Sequence, residues 1–385
     1  MTVAWPGRYT VASMSRVAGK IIHALSNLRR AAGLSRPDQL SFEPMPIGEL
    51  TVRCQAAWPA DLTAWDELSR RLSSTTPFHA PLWQIAGWSA GRILGRIRFI
   101  TVERAGALLA VLPLCLNPQG GLHSPGASIC DYLDPLMVPE HEPACWRAIL
   151  AFVAAQWDRK LIEFTLHNIR ESAACRTLLP SIADAAGFSF EETLVEYAPA
   201  IRLPESWEQY LDTLDAHERK ELRRKLNKAE SKGEARLVRC EDASLLDKAL
   251  QTMEAVGGEK GAAVSGYVRP LLEAIAPALV SEGRLELWTL QILGRPACYL
   301  IQLVGPDGPM LYNLGYEPSM KEWSPGVVAV GLSIRNAISR GDKVFDLLRG
   351  REPYKYKLGG VDRAVYRVTM KKVPSPPVLR GRGLG

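Results

Sequence analysis

Hydrophobic positions recur along the chain with two different periods, and the switches between them outline its elements. In residues 15–32, Val17, Ile21, Leu25 and Leu28 fall three or four apart, while Arg16, Lys20, His23, Asn27 and Arg30 lie largely off that face. That spacing predicts a basic amphipathic helix. A polar stretch with Pro37, Pro44 and Pro46 follows, so ordered structure is expected from near Glu49. The pattern then predicts a helix over 60–73, a turn at Pro77, and a second helix carrying Trp83 and Trp88. Runs of β-branched and aliphatic residues over 96–103 and 108–116 read as two strands around the turn at 104–106.

A longer pattern occurs twice. "ICDYLDPL" reads as a short strand, followed by a loop through Pro139 and Pro143, an apolar helix to Trp157, and the strand "KLIEFTL". Roughly 180 residues on, the strand "PMLYNLGY" precedes a loop through Pro318 and Pro325, a helix to Arg340, and the strand "KVFDLL". Each copy is led by helices and a strand pair, in the second case helices over 207–233, 243–256 and 267–281 and strands over 285–293 and 297–304. The pattern predicts a two-copy α/β architecture. Its expected segments are a basic amino-terminal segment 1–48, a first domain 49–200, a second domain 201–372 that carries the chemistry, and a disordered tail 373–385.

Composition narrows the class. At 385 residues, 47% hydrophobic and 23% charged, the chain can bury a substantial core. Its longest apolar runs, such as 107–116, fall short of the roughly 20 residues a membrane span needs. The seven cysteines are scattered singly, which fits a reducing, cytoplasmic setting. Cys130, His141 and Cys145 match no zinc spacing and lack a fourth ligand, so no metal is expected.

Charge matters only once it is located. Residues 1–37 hold six bases and no acid, so they carry the whole net charge of +6, and the other 348 residues balance 41 bases against 41 acids. No general DNA-binding surface is indicated. The 15–32 helix is instead expected to make a peripheral contact with anionic lipid at the inner membrane or with a membrane-bound synthase, or to pack on its own domain. Lys20 and His23 interrupt any apolar core of a secretory signal.

Three features can carry chemistry. Ser324-Pro325-Gly326 reads as a helix start with Ser324 as cap, Pro325 at the first position and Gly326 open to close approach, which suits an anion as well as an ordinary capped helix. Asp346 interrupts an apolar strand near its carboxyl end, and Arg349, Gly350, Glu352, Tyr354 and Lys355 follow at once, dense enough in charge to bind a polar substrate or to pair among themselves. The helix "AHERKELRRKLNKAESKG" shows a stripe with Leu222 and Leu226 and carries Lys220, Arg223, Arg224, Lys225 and Lys228 outside it, either a solvated face or a contact for phosphate or an acidic sugar. No GxSxG, HExxH, Walker or GxGxxG motif is present.

"TPFHAPLW", "CDYLDPL", "ERKELRRKLNKAE", "YNLGYEP", "SPG" and "FDLLRGREPYKYKLGG" together resemble the FemAB-like branch of the GNAT acyltransferases. More narrowly they resemble bacterial acetyltransferases associated with cellulose and other exopolysaccharide biosynthesis. The resemblance covers about residues 50–370. It implies an α/β (α+β) fold of tandem duplicated GNAT units, mixed central sheets flanked by helices. It also implies transfer of an acyl group from acetyl-CoA to an amine or hydroxyl of a sugar or sugar-nucleotide precursor. The donor's pyrophosphate then maps onto Ser324, Pro325, Gly326 and Val327, and its acyl carbonyl onto backbone donors in Tyr312, Asn313, Leu314 and Gly315. Asp346 is the expected base, with Glu352 competing. Tyr316 or Tyr354 is the expected acid, and Arg349, Lys355, Arg223 and Arg224 the expected acceptor-binding residues. The family's usual pyrophosphate loop is absent, since "RILGRI" at Arg92 and "RVAGKI" at Arg16 end in isoleucine and precede the wrong helices. FemAB-like relatives can use aminoacyl-tRNA, which stands as the alternative donor. A non-catalytic accessory of a polysaccharide synthase is the alternative from another class.

Overall fold

The computed structural model describes residues 42–88, 95–157, 163–240, 245–255 and 268–373. The expected helix 15–32 and the tail 374–385 lie outside them. The described chain opens with β1 (Phe42–Ile47) and β2 (Leu50–Gln55), then α1 (Thr63–Arg71) and α2 (Pro81–Gly87). β3 (Arg96–Arg104) and β4 (Ala107–Leu116) form a hairpin whose turn places Ala105 and Gly106 at φ +49° and +81°. Two left-handed residues in a row give the turn that matches the twist of paired strands. β5 (Gly121–His123), β6 (Leu136–Met137), α3 (Glu142–Trp157), β7 (Glu163–Arg170), α4 (Cys175–Ala185), β8 (Phe188–Tyr197) and β9 (Ala200–Arg202) follow. The second half runs α5 (Trp207–Thr213), α6 (Ala216–Gly233), β10 (Arg236–Cys240), α7 (Leu246–Ala255), α8 (Arg269–Ser281), β11 (Leu285–Ile292), β12 (Arg295–Gly305) and β13 (Gly308–Tyr316). It ends with α9 (Pro325–Arg340), β14 (Val344–Asp346), α10 (Pro353–Lys357) and β15 (Ala364–Lys372).

The strands form two sheets. The first has the order β1-β2-β3-β4-β5-β7-β15-β8, with β6 on β4, and the second β10-β11-β12-β13-β14-β9. One motif occurs in both: an antiparallel hairpin, a third strand antiparallel to it, a helix, and a strand returning parallel to the third. It is β3-β4-β5-α3-β7 in the first sheet and β11-β12-β13-α9-β14 in the second. The expected α/β duplication is thus a repeated mixed sheet flanked by helices.

Several local expectations change. "ICDYLDPL" is a loop up to Leu136 rather than a strand, because the side chains of Asp131, Tyr132 and Asp134 all bond residues outside it. β1, at Phe42–Ile47, precedes the expected start of order at Glu49, and Pro44 and Pro46 are tolerated because β1 is the edge strand among the described residues. The expected helix 207–233 breaks at Leu214, and Asp215 caps α6 by accepting the His217 and Glu218 N–H groups. The division at 372 does not follow the sheets: β15, last in the chain, lies between β7 and β8 of the first sheet.

Burial explains the layers. One core joins a face of the first sheet to α3 and α4, with Trp146, Phe152, Phe164, Leu166, Val368 and Met370 inside it. A second lies between the two halves, where Phe78, Trp83 and Tyr132 meet Leu271, Tyr299 and Met310. The third joins the far face of the second sheet to α5, α6 and α9. Among the described residues no helix is long and apolar enough to cross a membrane.

Candidate active site

The site begins with a slip in register. Ile301 pairs with Asn313 but Gln302 with Leu311, so Tyr312 is an extra residue in β13, a β-bulge. One added residue moves everything after it to the opposite face. Met310 therefore packs between the two halves, whereas Leu314 and Tyr316 turn to the α9 face, and Gly315 comes against Met253 of α7 with no room for a Cβ. β13 and β14 pair only at Met310 and Asp346, after which the Leu347 N–H bonds the Pro199 carbonyl and the two strands separate. Within the stretch expected to supply backbone donors, the Leu314 N–H is held by the Asn313 side-chain oxygen at 2.9 Å.

α9 starts beside this edge. Ser324 sits at φ +51° and makes no capping bond through its side chain, contrary to its expected role. The Val328 N–H reaches the Ser324 carbonyl at 3.1 Å, and Pro325 has no N–H to satisfy. No side chain caps the Gly326 and Val327 N–H groups. A Cβ on Gly326 would meet only Leu314 at 3.6 Å and Tyr316 at 3.8 Å, so the helix start is open to close approach. A shallow cleft between α6 and α10 includes Val327 of this helix start and is lined by Lys225, Lys357, Glu218, Glu221 and Tyr354 with Leu222 and Leu358. An uncapped helix start with two lysines across a cleft fits a diphosphate.

The second polar loop divides its labour differently from the expectation. Asp346 is only 7% exposed and faces the first half of the chain, where the Tyr132 hydroxyl donates to its carboxylate at 2.9 and 3.1 Å. Its Oδ1 also accepts the Leu348 N–H at 2.8 Å, and Arg363 lies 3.8 Å from Oδ2. Burial pushes this carboxyl up, against the pull of Arg363 and the two hydrogen bonds. Burial and the Asp346 charge hold the Tyr132 hydroxyl well above its usual value.

Arg349 and Lys355 are engaged by the protein itself. Arg349 bonds Asp131 at 2.9 Å, the Asn168 side chain at 3.1 Å and the Ala127 carbonyl at 2.9 Å. Lys355 is 3% exposed, and its ammonium reaches the Leu348 and Arg349 carbonyls at 2.8 and 2.9 Å and Glu352 at 3.1 Å. Those three contacts use all three of its donors, so the expected bond to an acceptor has none left.

Tyr354 lines the cleft, and Glu352, two residues before it, is paired with Lys355. The Glu352 carboxylate folds over Gly350, whose φ of +110° and missing Cβ make the room. Burial and the neighbouring Glu352 push the Tyr354 hydroxyl up. Cys298, which pairs with Tyr316 across the ladder, is close enough to add to that shift, so the two tyrosines share one edge of the site.

Arg223 and Arg224 do not join it. They pair with Glu208 and Glu221 on the exposed side of α6. The lysine that lines the cleft is Lys225, and Lys228 lies over the Trp323 ring at 4.7 Å while bonding the Glu322 carbonyl. Helical phase held the signal, since Lys225 follows Leu222 by three positions and so borders the buried stripe. Lys357, Tyr132, Asp131 and Asn168 were missed because nothing local marks a residue whose partner is distant in sequence. Among the described residues no group of three metal-ligating side chains is assembled.

Comparison with known proteins places this geometry. Residues 216–356 match the family described as acetyltransferase (GNAT) domain. The fold is similar to that of FemX, with TM-score 0.58 at 10% identity over 85% of this chain and 97% of that one. It is also similar to a conserved protein of unknown function from Bacteroides thetaiotaomicron, with TM-score 0.56 at 12% identity over 83% and 99% of the two chains. The C-terminal domain of a protein described as a lysylphosphatidylglycerol synthetase, from Agrobacterium fabrum, gives 0.50 at 11% identity over 80% and 90%. At these identities the likeness is one of fold. No curated protein sequence matches closely enough to count as a relative.

Proposed function

We propose that the acetyltransferase (GNAT) domain in the second half of this chain transfers an acyl group from acetyl-CoA to an amine or hydroxyl of a sugar or sugar-nucleotide precursor of an exported polysaccharide. The observation that carries the donor reading is the start of α9, which has no side-chain cap and whose Val327 lines a cleft bearing Lys225 and Lys357 beside Glu218 and Glu221. The donor's diphosphate would lie there, and its thioester would run along the β13 edge that the bulge at Tyr312 frees. The Leu314 N–H would serve the acyl carbonyl once the Asn313 side chain moves aside.

A bound thioester supplies the activated acyl group. The chain's own groups would handle the protons. Glu352 is the base this reading prefers over Asp346, because Asp346 is buried against Tyr132, whereas Glu352 stands beside Tyr354. It would take the acceptor's proton as the new bond forms. Tyr354 or Tyr316 would protonate the departing sulfur, and the raised Tyr354 hydroxyl keeps its proton until one is needed.

The sugar acceptor rests on the resemblance of the sequence to exopolysaccharide acetyltransferases. An aminoacyl donor is the second reading, supported by the fold likeness to FemX and to the synthetase domain. A membrane or synthase contact through residues 15–32 belongs to the same proposal, and liposome flotation with and without residues 1–37 tests it.

Titration of the full chain with acetyl-CoA tests the donor. Saturable binding that Gly326→Trp abolishes is expected, and no binding at millimolar donor would overturn this reading. Turnover unchanged in Glu352→Gln, Tyr354→Phe and Tyr316→Phe alike would overturn the assignment of roles.

A further inference from the structure

Among the described residues the first half of the chain places no side chain in the cleft lining, yet its loop before β6 reaches the segment that carries Glu352 and Tyr354. We propose that Tyr132 is a positioning residue for the second half's site: it fixes Asp346, Asp346 fixes the turn at Leu348, and that turn sets where Glu352 and Tyr354 stand. The catalytic consequence rests on the acyl-transfer reading, while the positioning itself does not.

Leu348 has φ +56°, a conformation that a leucine avoids and that persists only where its surroundings hold it. Its N–H is held by Asp346 at 2.8 Å and its carbonyl by Lys355 at 2.8 Å. Asp346 can do this only if its carboxylate is oriented, and the Tyr132 hydroxyl contacts both oxygens. Packing of the ring alone would be served by phenylalanine at 132, which is 2% exposed in the apolar core between the halves. The hydroxyl and the carboxylate each account for the other.

A second clamp lies one residue further on. Asn168 sits at φ +53° in a bulge of β7, where Leu166 pairs with Val368 but Ile169 with Tyr366. Its side chain binds the Ala127 and Cys130 carbonyls at 2.9 and 2.7 Å and accepts from Arg349. Asp131 takes the same guanidinium, and Tyr312 donates to the Ile129 carbonyl at 3.2 Å. Arg349, the residue after left-handed Leu348, is thus tied to left-handed Asn168 of the first half by a side-chain hydrogen bond. Lys355 carries the constraint onward to Glu352, four residues past the turn.

Amide exchange of the full chain tests the positioning without reference to any substrate. Tyr132→Phe keeps the ring and removes the hydroxyl, so exchange over 347–352 should rise about tenfold while β4 and α9 keep their protection. Asp346→Asn, of the same shape, should loosen the same stretch. In turnover with acetyl-CoA, Tyr132→Phe should lower kcat about tenfold and leave the donor KM within about twofold, a split that general destabilisation does not produce. If exchange over 347–352 is unchanged in both variants, the inference is overturned. If it rises while the wild type binds no acyl donor, the positioning stands and the acyl-transfer reading falls.

Discussion

The Lys355 ammonium lies 3.1 Å from the Glu352 carboxylate and spends its two other N–H groups on the Leu348 and Arg349 carbonyls. Burial lowers its pKa, and the Glu352 charge pulls the other way. Lys355→Met would leave two carbonyls and a partly buried carboxylate without their donor. The expected cost is about 2–4 kcal/mol, read as a lower urea midpoint with an unchanged m-value. Arginine cannot place three donors on these partners from one atom, so Lys355→Arg should recover only part of the loss.

Asp346 gives a pH prediction whose sign follows from its raised folded pKa. Between the ordinary carboxyl value and the folded one, the folded state binds more protons than the unfolded state. Stability from this group is therefore greatest in acid and declines as pH rises through that window. Asp346→Asn, which does not titrate, should compare better with the wild type at pH 7 than at pH 4. Urea midpoints of the two proteins at both pH values check it, and a difference independent of pH would refute it. The groups facing Asp346 are Tyr132, Arg363, Asp131 and the Leu348 N–H, with Arg170 and Lys355 also within electrostatic reach, so the same comparison in Arg363→Gln should widen the gap.

The two sides of α6 should behave differently. Lys225→Gln and Lys357→Gln are each expected to weaken acetyl-CoA binding about tenfold and to flatten its salt dependence, since each removes a cation facing the proposed diphosphate position. Arg223→Ala removes only an exposed pair with Glu208, so affinity should stay within error of the wild type, whereas Arg224→Ala unpairs Glu221 in the cleft and should lower affinity by less than either lysine variant. Isothermal titration at two ionic strengths separates the pairs. An equal effect of all four would show that general surface charge, not the cleft, attracts the donor.

Ending the chain at Arg363 should damage the part of the molecule most distant from it in sequence. β15 lies between β7 and β8, and Val368 and Met370 are fully buried in the first sheet's core. Without them that core opens and the β7 edge is bare, so the shortened chain is expected to aggregate or to lose its near-ultraviolet circular dichroism. A chain ending at Val373 should keep both.

How much of this was legible in the sequence depended on range. The start of α9 at Pro325, the strand that becomes β14, the helix–strand pairs α3–β7 and α9–β14 and the apolar stripe of α6 all follow from spacings that act within a turn or two of a helix. For that reason the sequence determined the duplicated α/β architecture and the position of the helix start at Pro325. It placed Arg349 and Lys355 correctly in the chain but not in function, because an isolated base reads alike whether it awaits a ligand or a carbonyl.

Tertiary structure decided the rest. Tyr132 meets Asp346 across 214 residues, and Asp131 meets Arg349 across 218. β15 enters a sheet begun more than 300 residues earlier at Phe42. The bulge at Tyr312 appears only when β13 is laid against β12, and it alone turns Leu314 and Tyr316 toward α9. Local periodicity carries no information about partners so distant. Which carboxylate is buried against a tyrosine and which pairs with Lys355 is fixed only when the chain packs together.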